Sequence, residues 1–145
     1  MLTVITSLFE KDINKLIEEI NLFKSDEDTW KVKEGVTNSA GNLTLHLIGN
    51  LNHFIGATLG NSGYVRERDN EFSEKNIPRV QLTEALKNTL EVIKKTLDAL
   101  SEQDLKKDFP VPINQKILST EYMIMHLINH FNYHLGQVNY LRRML

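Results

Sequence analysis

The five histidines of the chain are the residues whose type and spacing could do chemistry. His126, His130 and His134 recur every four residues near the C-terminus, and His46 and His53 lie seven residues apart earlier in the chain. Because four-residue spacing places side chains one turn apart on one face of a helix, His130 and His134 can reach the same ion. Imidazole is a ligand for zinc, nickel, iron and copper, so the pattern favours a divalent-metal site.

The spacing leaves two sets of three histidines open. A rise of about 1.5 Å per residue separates His46 from His53 by about 10 Å and His126 from His134 by about 12 Å, so one ion cannot bind all five. If the two segments run antiparallel, the ligands are either His46, His130 and His134 or His53, His126 and His130. Three imidazoles leave coordination positions open for water or substrate, which is typical of a catalytic site. Stacked histidines could instead form a pH-responsive interface.

Few other groups accompany these histidines. Asn50 and Gln137 lie on or near the same faces and could orient the ligands or a bound water. Neither histidine segment carries a carboxylate, and the stretch from His130 to His134 lacks the glutamate of the zincin motif HExxH. The chain also has no cysteine, so any thiol that takes part in its chemistry must come from outside. The chemistry would therefore rest on the metal, and the sequence identifies no catalytic residue.

Composition and charge narrow the class of protein. At 145 residues the chain has the size of a single domain, which we expect to span residues 1–145. The net charge is −2 and no basic block occurs, which argues against nucleic-acid binding. The N-terminus has neither a basic lead nor a small-residue cleavage pattern, so we expect a cytoplasmic protein.

Two windows, residues 35–65 and 122–141, contain no Asp, Glu, Lys or Arg and hold all the histidines. Their Asn, His and Gln residues make membrane insertion unfavourable, so no membrane span is predicted. We expect instead two helices buried in a bundle. Since a helix without a charged face is often covered on more than one side, we also expect a homodimer.

Four segments have the length and apolar period of helices. The first runs from about Leu2 to Phe23, with a polar face that includes Glu18 and Glu19. The second begins near Asn38 or Ser39 and ends near Gly60, and the third spans roughly Leu82 to Leu100. The fourth begins after a cap at Ser119 or Thr120 and ends at about Arg143.

The connections between these segments are long and polar. Trp30, in the first connection, is expected to cover one end of the core. A charged loop follows over residues 61–80, and Pro110 and Pro112 mark an extended crossing before the last helix. The pattern predicts an all-α four-helix bundle with at least one crossover connection.

The stretches SAGNLTLHLIGNLNHFIG and HLINHFNYHLGQVNYLRRML resemble the DinB-like superfamily of small metal-binding proteins, also known as YfiT/DinB-like. The sharpest match is H-x-x-x-H-x-G-Q, formed here by His130, His134, Gly136 and Gln137. The resemblance implies an up-down-down-up four-helix bundle and a tendency to dimerise. It selects His46, His130 and His134 as ligands, for which we expect a divalent ion, zinc or nickel.

The stretch RERDNEF, Arg66 to Phe72, resembles a branch of that superfamily with no assigned function. A mixed-charge loop is usually a solvated surface or an inter-subunit salt-bridge network, and we expect that here in preference to contact with a substrate. Relatives elsewhere in the superfamily include bacillithiol transferases and mycothiol-dependent isomerases. The resemblance therefore implies a metal-dependent enzyme, for which the first expectation is a thiol-dependent S-transferase acting on a small electrophile. The alternatives are a hydrolase that uses metal-activated water and a non-enzymatic, metal-binding dimer in a stress response.

Overall fold

The computed structural model describes all 145 residues, and its regular secondary structure is entirely helical. Helix α2 continues directly into a wider π-helical segment, Asn52–Leu59, and short 3₁₀ turns lie at Glu27–Trp30 and Asp104–Lys106. None of the helices combines the length and the apolar character needed to cross a membrane. The α-helices are α1 (Leu2–Leu22), α2 (Ala40–Leu51), α3 (Arg68–Ser73), α4 (Arg79–Asp98) and α5 (Thr120–Met144).

Polar contacts between the long helices establish their directions. Asp12 of α1 accepts a hydrogen bond from Asn132 of α5, and Glu19 accepts from Asn139 and Arg142, so α1 and α5 run parallel. From the first of these contacts to the second, the contacting residues move about two turns towards the C-terminus on both helices.

The other two long helices point the opposite way. Lys94 of α4 donates to Glu10 near the start of α1, whereas Arg79 donates to Asp26 beyond its end. Asn52 donates to Thr89 of α4, and α4 packs along the π-helical segment that follows α2. Helices α1 and α2 each pack against α4 and α5, so the predicted up-down-down-up bundle is confirmed.

One core fills the centre of the bundle and contains 25 buried apolar side chains. The stripe predicted for α1 is buried, but Glu19, which was expected on the polar face, is only 2% exposed. That prediction was wrong because α5 covers this edge of α1, where Arg142 and Asn139 bind the carboxylate. The buried residues of the α1 stripe are Ile5, Phe9, Ile13, Leu16 and Ile20.

Helices α2 and α5, which carry the histidines, begin directly after predicted capping residues, Ser39 and Ser119. The Ser39 hydroxyl accepts from the backbone N–H of Asn42 at 3.1 Å, and the Ser119 hydroxyl accepts from that of Tyr122 at 3.2 Å. Each serine satisfies a helix N–H that has no partner within the helix. Trp30 packs against the core, as expected, with its ring beside Gly41 at the start of α2. Its indole N–H donates to the carbonyl of Ile77 at 3.1 Å.

The segment predicted as a charged loop contains the six-residue helix α3. Its position depends on Asn42, whose side-chain amide donates to the carbonyls of Glu71 at 3.0 Å and Glu74 at 2.9 Å. A helix this short has too few residues to show an apolar period, and isolated short helices are marginal in water. Packing against α2 therefore orders α3 on the side of the bundle that carries His46.

Candidate metal centre

Helices α2 and α5 bring three of the five histidines together. His46 comes from α2, and His130 and His134 come from successive turns of α5, which faces α2 in the bundle. One ring nitrogen from each lies within 4.8 Å of the other two, so the cluster could hold a metal ion. We refer to His46, His130 and His134 as the three-histidine cluster.

The three rings face a common point. Their centroids are 4.7 to 5.2 Å apart and each pair of rings is close to perpendicular. The Nε2 atoms of His46 and His130 are 3.1 Å apart. Zinc–imidazole bonds of about 2.0–2.1 Å place two nitrogens of a tetrahedral site about 3.3 Å apart, so this separation suits two ligands of one ion.

The surroundings of the cluster favour uncharged imidazoles. His46 is buried, and burial lowers its pKa even though Glu71 acts in the opposite direction. Burial, followed by the nearby His134 and His46, lowers the pKa of His130 to about 4. A neutral imidazole has the lone pair that a metal ion needs, so at neutral pH these two side chains are in the binding form.

A carboxylate missed by the sequence analysis lies directly beside the cluster. Glu71 of α3 is 7% exposed, and its Oε1 is 3.0 Å from Nδ1 of His46. Arg66 donates from Nε to Oε2 and from Nη2 to Oε1 of the same carboxylate, both at 2.8 Å. Arg66 to Phe72 was expected to form a solvated surface or an inter-subunit salt-bridge network, and for Arg66 and Glu71 this was wrong, because α3 folds back against α2 and covers both side chains. Arg68 and Asp69 are exposed.

The two amide side chains singled out in the sequence differ in their contacts. Gln137 lies one turn beyond His134, and its Oε1 is 2.7 Å from Nδ1 of His134. Asn50 is buried, but its Oδ1 has no hydrogen-bond partner in the protein and is not bonded to any histidine of the cluster. A role for Gln137 in orienting His134 agrees with the geometry, and a role for Asn50 stays a prediction.

The other two histidines lie outside the cluster. His53 packs its ring against Phe54, with centroids 4.6 Å apart. His126 is exposed, and its ring stacks above that of His130 with centroids 6.4 Å apart. Of the two sets that the spacing allows, the structure brings together His46, His130 and His134.

An open cavity of about 460 Å³ adjoins the cluster at His134. Its walls are residues 35–38 before α2, Leu43, and the C-terminal turns of α5, including Tyr133, Gln137 and Tyr140. None of the lining residues is Asp, Glu, Lys or Arg. The volume is in the range of about 300–1,000 Å³ that is typical of small-molecule sites.

The family whose profile matches the chain is described as "Protein of unknown function (DUF1572)", and the match covers residues 2–145. The chain belongs to the DUF1572 family. No curated protein matches it. The family assignment agrees with the branch of unassigned function that the RERDNEF stretch indicated.

Two solved structures share the fold of this DUF1572 chain. A conserved protein from Enterococcus faecalis aligns with a TM-score of 0.78 and 14% identity, over 99% of this chain and 95% of that one. A DinB-like protein from Bacillus cereus aligns with a TM-score of 0.72 and 15% identity, over 92% and 85% of the two chains. The resemblance to the DinB-like superfamily is thus confirmed at the level of the fold.

Proposed function

We propose that this protein is a divalent-metal-dependent S-transferase that joins a low-molecular-weight thiol, through its sulfur atom, to a small electrophile. The observation that carries the proposal is the three-histidine cluster with an uncharged cavity beside it. The cluster contains no fourth protein ligand, which leaves room for an exogenous group and argues against a purely structural metal site.

A divalent ion bound by three imidazoles supplies Lewis acidity that favours the deprotonated form of a bound thiol or water. In the proposed transfer, the thiol gives up its proton to solvent and its sulfur forms a bond to an electrophilic carbon. The leaving group departs with the electron pair of the bond that breaks. The chain supplies no cysteine, so the sulfur comes from a second substrate.

The residues of the site have distinct tasks in this proposal. His46, His130 and His134 hold zinc or nickel, and Gln137 orients the last of them. Tyr133 and Tyr140 border the cavity in which the uncharged part of the electrophile binds. Glu71 is bonded to Arg66 and faces His46, so it is poorly placed to act as a base on water, which disfavours the hydrolase alternative.

We also propose that the protein acts as a homodimer that associates through the exposed face of α5. That face is uncharged from Tyr122 to Leu141, so two copies can meet without repulsion between like charges. Away from the cavity, the large apolar side chains of Tyr122 and Met125 remain exposed on this face.

Elemental analysis tests the metal site. The protein, purified without a histidine tag, should contain about one divalent ion per chain, and His46→Ala, His130→Ala and His134→Ala should each reduce this to about a tenth or less. His53→Ala and His126→Ala are matched controls on the same helices and should keep the ion. Full metal content in His130→Ala, or loss of metal in His53→Ala, would refute this ligand set.

The Co²⁺-substituted protein tests the use of a thiol. A thiol that enters the coordination sphere should change the visible absorption spectrum of the bound Co²⁺. If several cellular thiols leave the spectrum unchanged while the ion stays bound, the transferase proposal fails and the metal site remains.

A further inference from the structure

The ion pair of Arg66 and Glu71 is largely withdrawn from solvent beside the cluster, with side chains 12% and 7% exposed. Surface charges of a mixed loop normally remain in water, since burial of a charged group is costly unless it is paired and hydrogen-bonded. Here the pair is doubly hydrogen-bonded and one of its oxygens faces a histidine. We propose that Glu71, held in place by Arg66, is a positioning residue that keeps the proton of His46 on Nδ1 and directs Nε2 towards His130 and His134.

The contacts of His46 determine which of its nitrogens carries the proton. Nδ1 lies 3.0 Å from Oε1 of Glu71 and 3.4 Å from Nη2 of Arg66. A carboxylate only accepts hydrogen bonds, so a bond to Glu71 requires a proton on Nδ1 of His46. A guanidinium only donates, so a bond from Arg66 requires a lone pair on Nδ1 instead. The shorter contact and the negative charge of the carboxylate both favour Nδ1–H. Nε2 then carries the lone pair that a metal ion requires.

Arg66 fixes the plane of the Glu71 carboxylate. Its Nε and Nη2 atoms donate to the two carboxylate oxygens at 2.8 Å each. Two parallel hydrogen bonds fix the orientation of the carboxylate more tightly than a single contact does. The guanidinium carbon also lies 6.0 Å from the ring centre of Phe54, in the helical segment that continues α2. Arg66 thus connects the carboxylate to the helix from which His46 projects.

The backbone of α2 is shaped to receive this carboxylate. A Cβ atom at Gly49 would lie 1.9 Å from Oε2 of Glu71, so any larger residue would displace the side chain. On the other side, the amide of Asn42 binds the backbone carbonyl of Glu71 at 3.0 Å. Glu71 is therefore fixed through both its side chain and its backbone, as a group that orients a metal ligand must be.

This inference rests on the proposed function, because it assigns a role towards an ion that the three histidines hold. Its first test is the affinity for Zn²⁺, measured by competition with a chromophoric chelator at a fixed neutral pH. In Glu71→Gln, Arg66 should attract the amide oxygen and turn the NH₂ group towards His46, which favours a proton on Nε2 and blocks that ligand. We expect Zn²⁺ binding weaker by about 10–100-fold in Glu71→Gln and by about 10-fold in Arg66→Lys, which keeps the charge but loses the paired geometry.

Glu74→Gln is the matched control, since Glu74 is an exposed acid three residues further along and makes no side-chain contact with a histidine. Its Zn²⁺ affinity should stay within about 2-fold of the unaltered protein, as expected when no orienting contact is lost. Circular dichroism establishes that each variant is folded. An affinity in folded Glu71→Gln or Arg66→Lys that matches the control would overturn the proposal.

The second test does not need a metal. Side-chain ¹⁵N NMR of the metal-free protein distinguishes the two neutral tautomers of histidine. His46 should be the Nδ1–H tautomer in the unaltered protein and should shift towards Nε2–H in Glu71→Gln. If the unaltered protein binds no Zn²⁺, the proposed function fails, whereas this measurement still decides the inference: a His46 tautomer that is insensitive to Glu71 overturns it.

Discussion

At the scale of single residues, the members of the three-histidine cluster differ in what binds their second nitrogen. Nδ1 of His46 faces a buried carboxylate, and Nδ1 of His134 faces the amide oxygen of Gln137. Nδ1 of His130 is buried and has no protein partner. Because a bonded second nitrogen orients the ring and strengthens it as a ligand, we expect His46 to be held most firmly and His134 less firmly.

Gln137 provides a test of this difference. Gln137→Leu removes the acceptor from Nδ1 of His134, but the side chain is exposed and water can replace it. We therefore expect Zn²⁺ binding to weaken by only about 2–10-fold, less than for Glu71→Gln. Asn129→Leu, an exposed amide on the same helix, should leave the affinity unchanged. The same chelator competition measures these Zn²⁺ affinities. If Gln137→Leu lost more Zn²⁺ affinity than Glu71→Gln, His134 and not His46 would be the more firmly held ligand, which would contradict this account.

The site could be predicted from the sequence only in part. Histidine spacing identified the two helices but left two ligand sets open, and the resemblance to the DinB-like superfamily selected the set that the structure brings together. Glu71 could not be found in this way, because its approach depends on the missing side chain at Gly49 and on the amide of Asn42. The RERDNEF stretch is a recognisable motif, but no periodicity in the sequence relates it to His46.

At the scale of the elements, α5 has two different uncharged faces. One is in the core and includes Phe131, Val138 and Leu141, and the other exposes tyrosines and methionines. An exposed helix face without charge is unusual for a monomer, and it is the basis for the proposed dimer.

Met125→Lys tests this interface. Met125 is 41% exposed on α5 and does not belong to the cluster, so a lysine there should place two like charges at the contact between copies. Analytical ultracentrifugation should give twice the 16.7 kDa of one chain for the unaltered protein and a shift towards the monomer for the variant. Val80→Lys changes a 72% exposed apolar residue on α4 and should remain dimeric. A monomeric unaltered protein at micromolar concentration would contradict the proposal.

The helices themselves were the most predictable elements. The apolar period found all four long ones, and Ser39 and Ser119 cap α2 and α5 as expected. Helix α4 begins at Arg79 instead of Leu82, because the carbonyl of Pro78 already accepts from the N–H of Leu82. The π-helical segment Asn52–Leu59 was not predicted, because hydrophobic patterning does not distinguish it from an α-helix. In this segment the N–H of Gly60 donates to the carbonyl of Ile55, five residues back.

At the scale of the whole molecule, buried polar contacts hold α1 and α5 in parallel register. Glu19 accepts from Nε of Arg142 at 2.6 Å and from Asn139 at 2.7 Å. Burial raises the pKa of Glu19, but these hydrogen bonds outweigh it and hold the pKa below its ordinary value of 4.5. The carboxylate is thus favoured in the folded state, so its contribution to stability is present above that ordinary pKa and is lost as the pH falls through the lower, folded-state pKa.

Glu19→Gln should lower the free energy of unfolding by about 1–3 kcal/mol at about pH 7, because Arg142 loses a charged partner. The difference from the unaltered protein should shrink once the pH falls below about 4.5, where the unaltered carboxylate also becomes protonated on unfolding. Urea unfolding at several pH values measures the loss of stability near neutral pH and its decrease at lower pH. Glu18→Gln, at an exposed neighbouring position, should change stability by less than about 0.5 kcal/mol. A Glu19→Gln difference that stays constant as the pH falls through 4.5 and below would contradict this account.

The separation of His46 from His130 by 84 residues also has a consequence for biosynthesis. A ribosome that adds about 5–20 residues per second needs roughly 4 to 17 s to pass from the first of these codons to the second. Throughout that interval the nascent chain offers only His46 from the cluster, because the remaining two ligands belong to α5. An ion that requires all three ligands can therefore be bound only after His134 has been added, so a nascent chain that has reached only α2 holds no complete metal site.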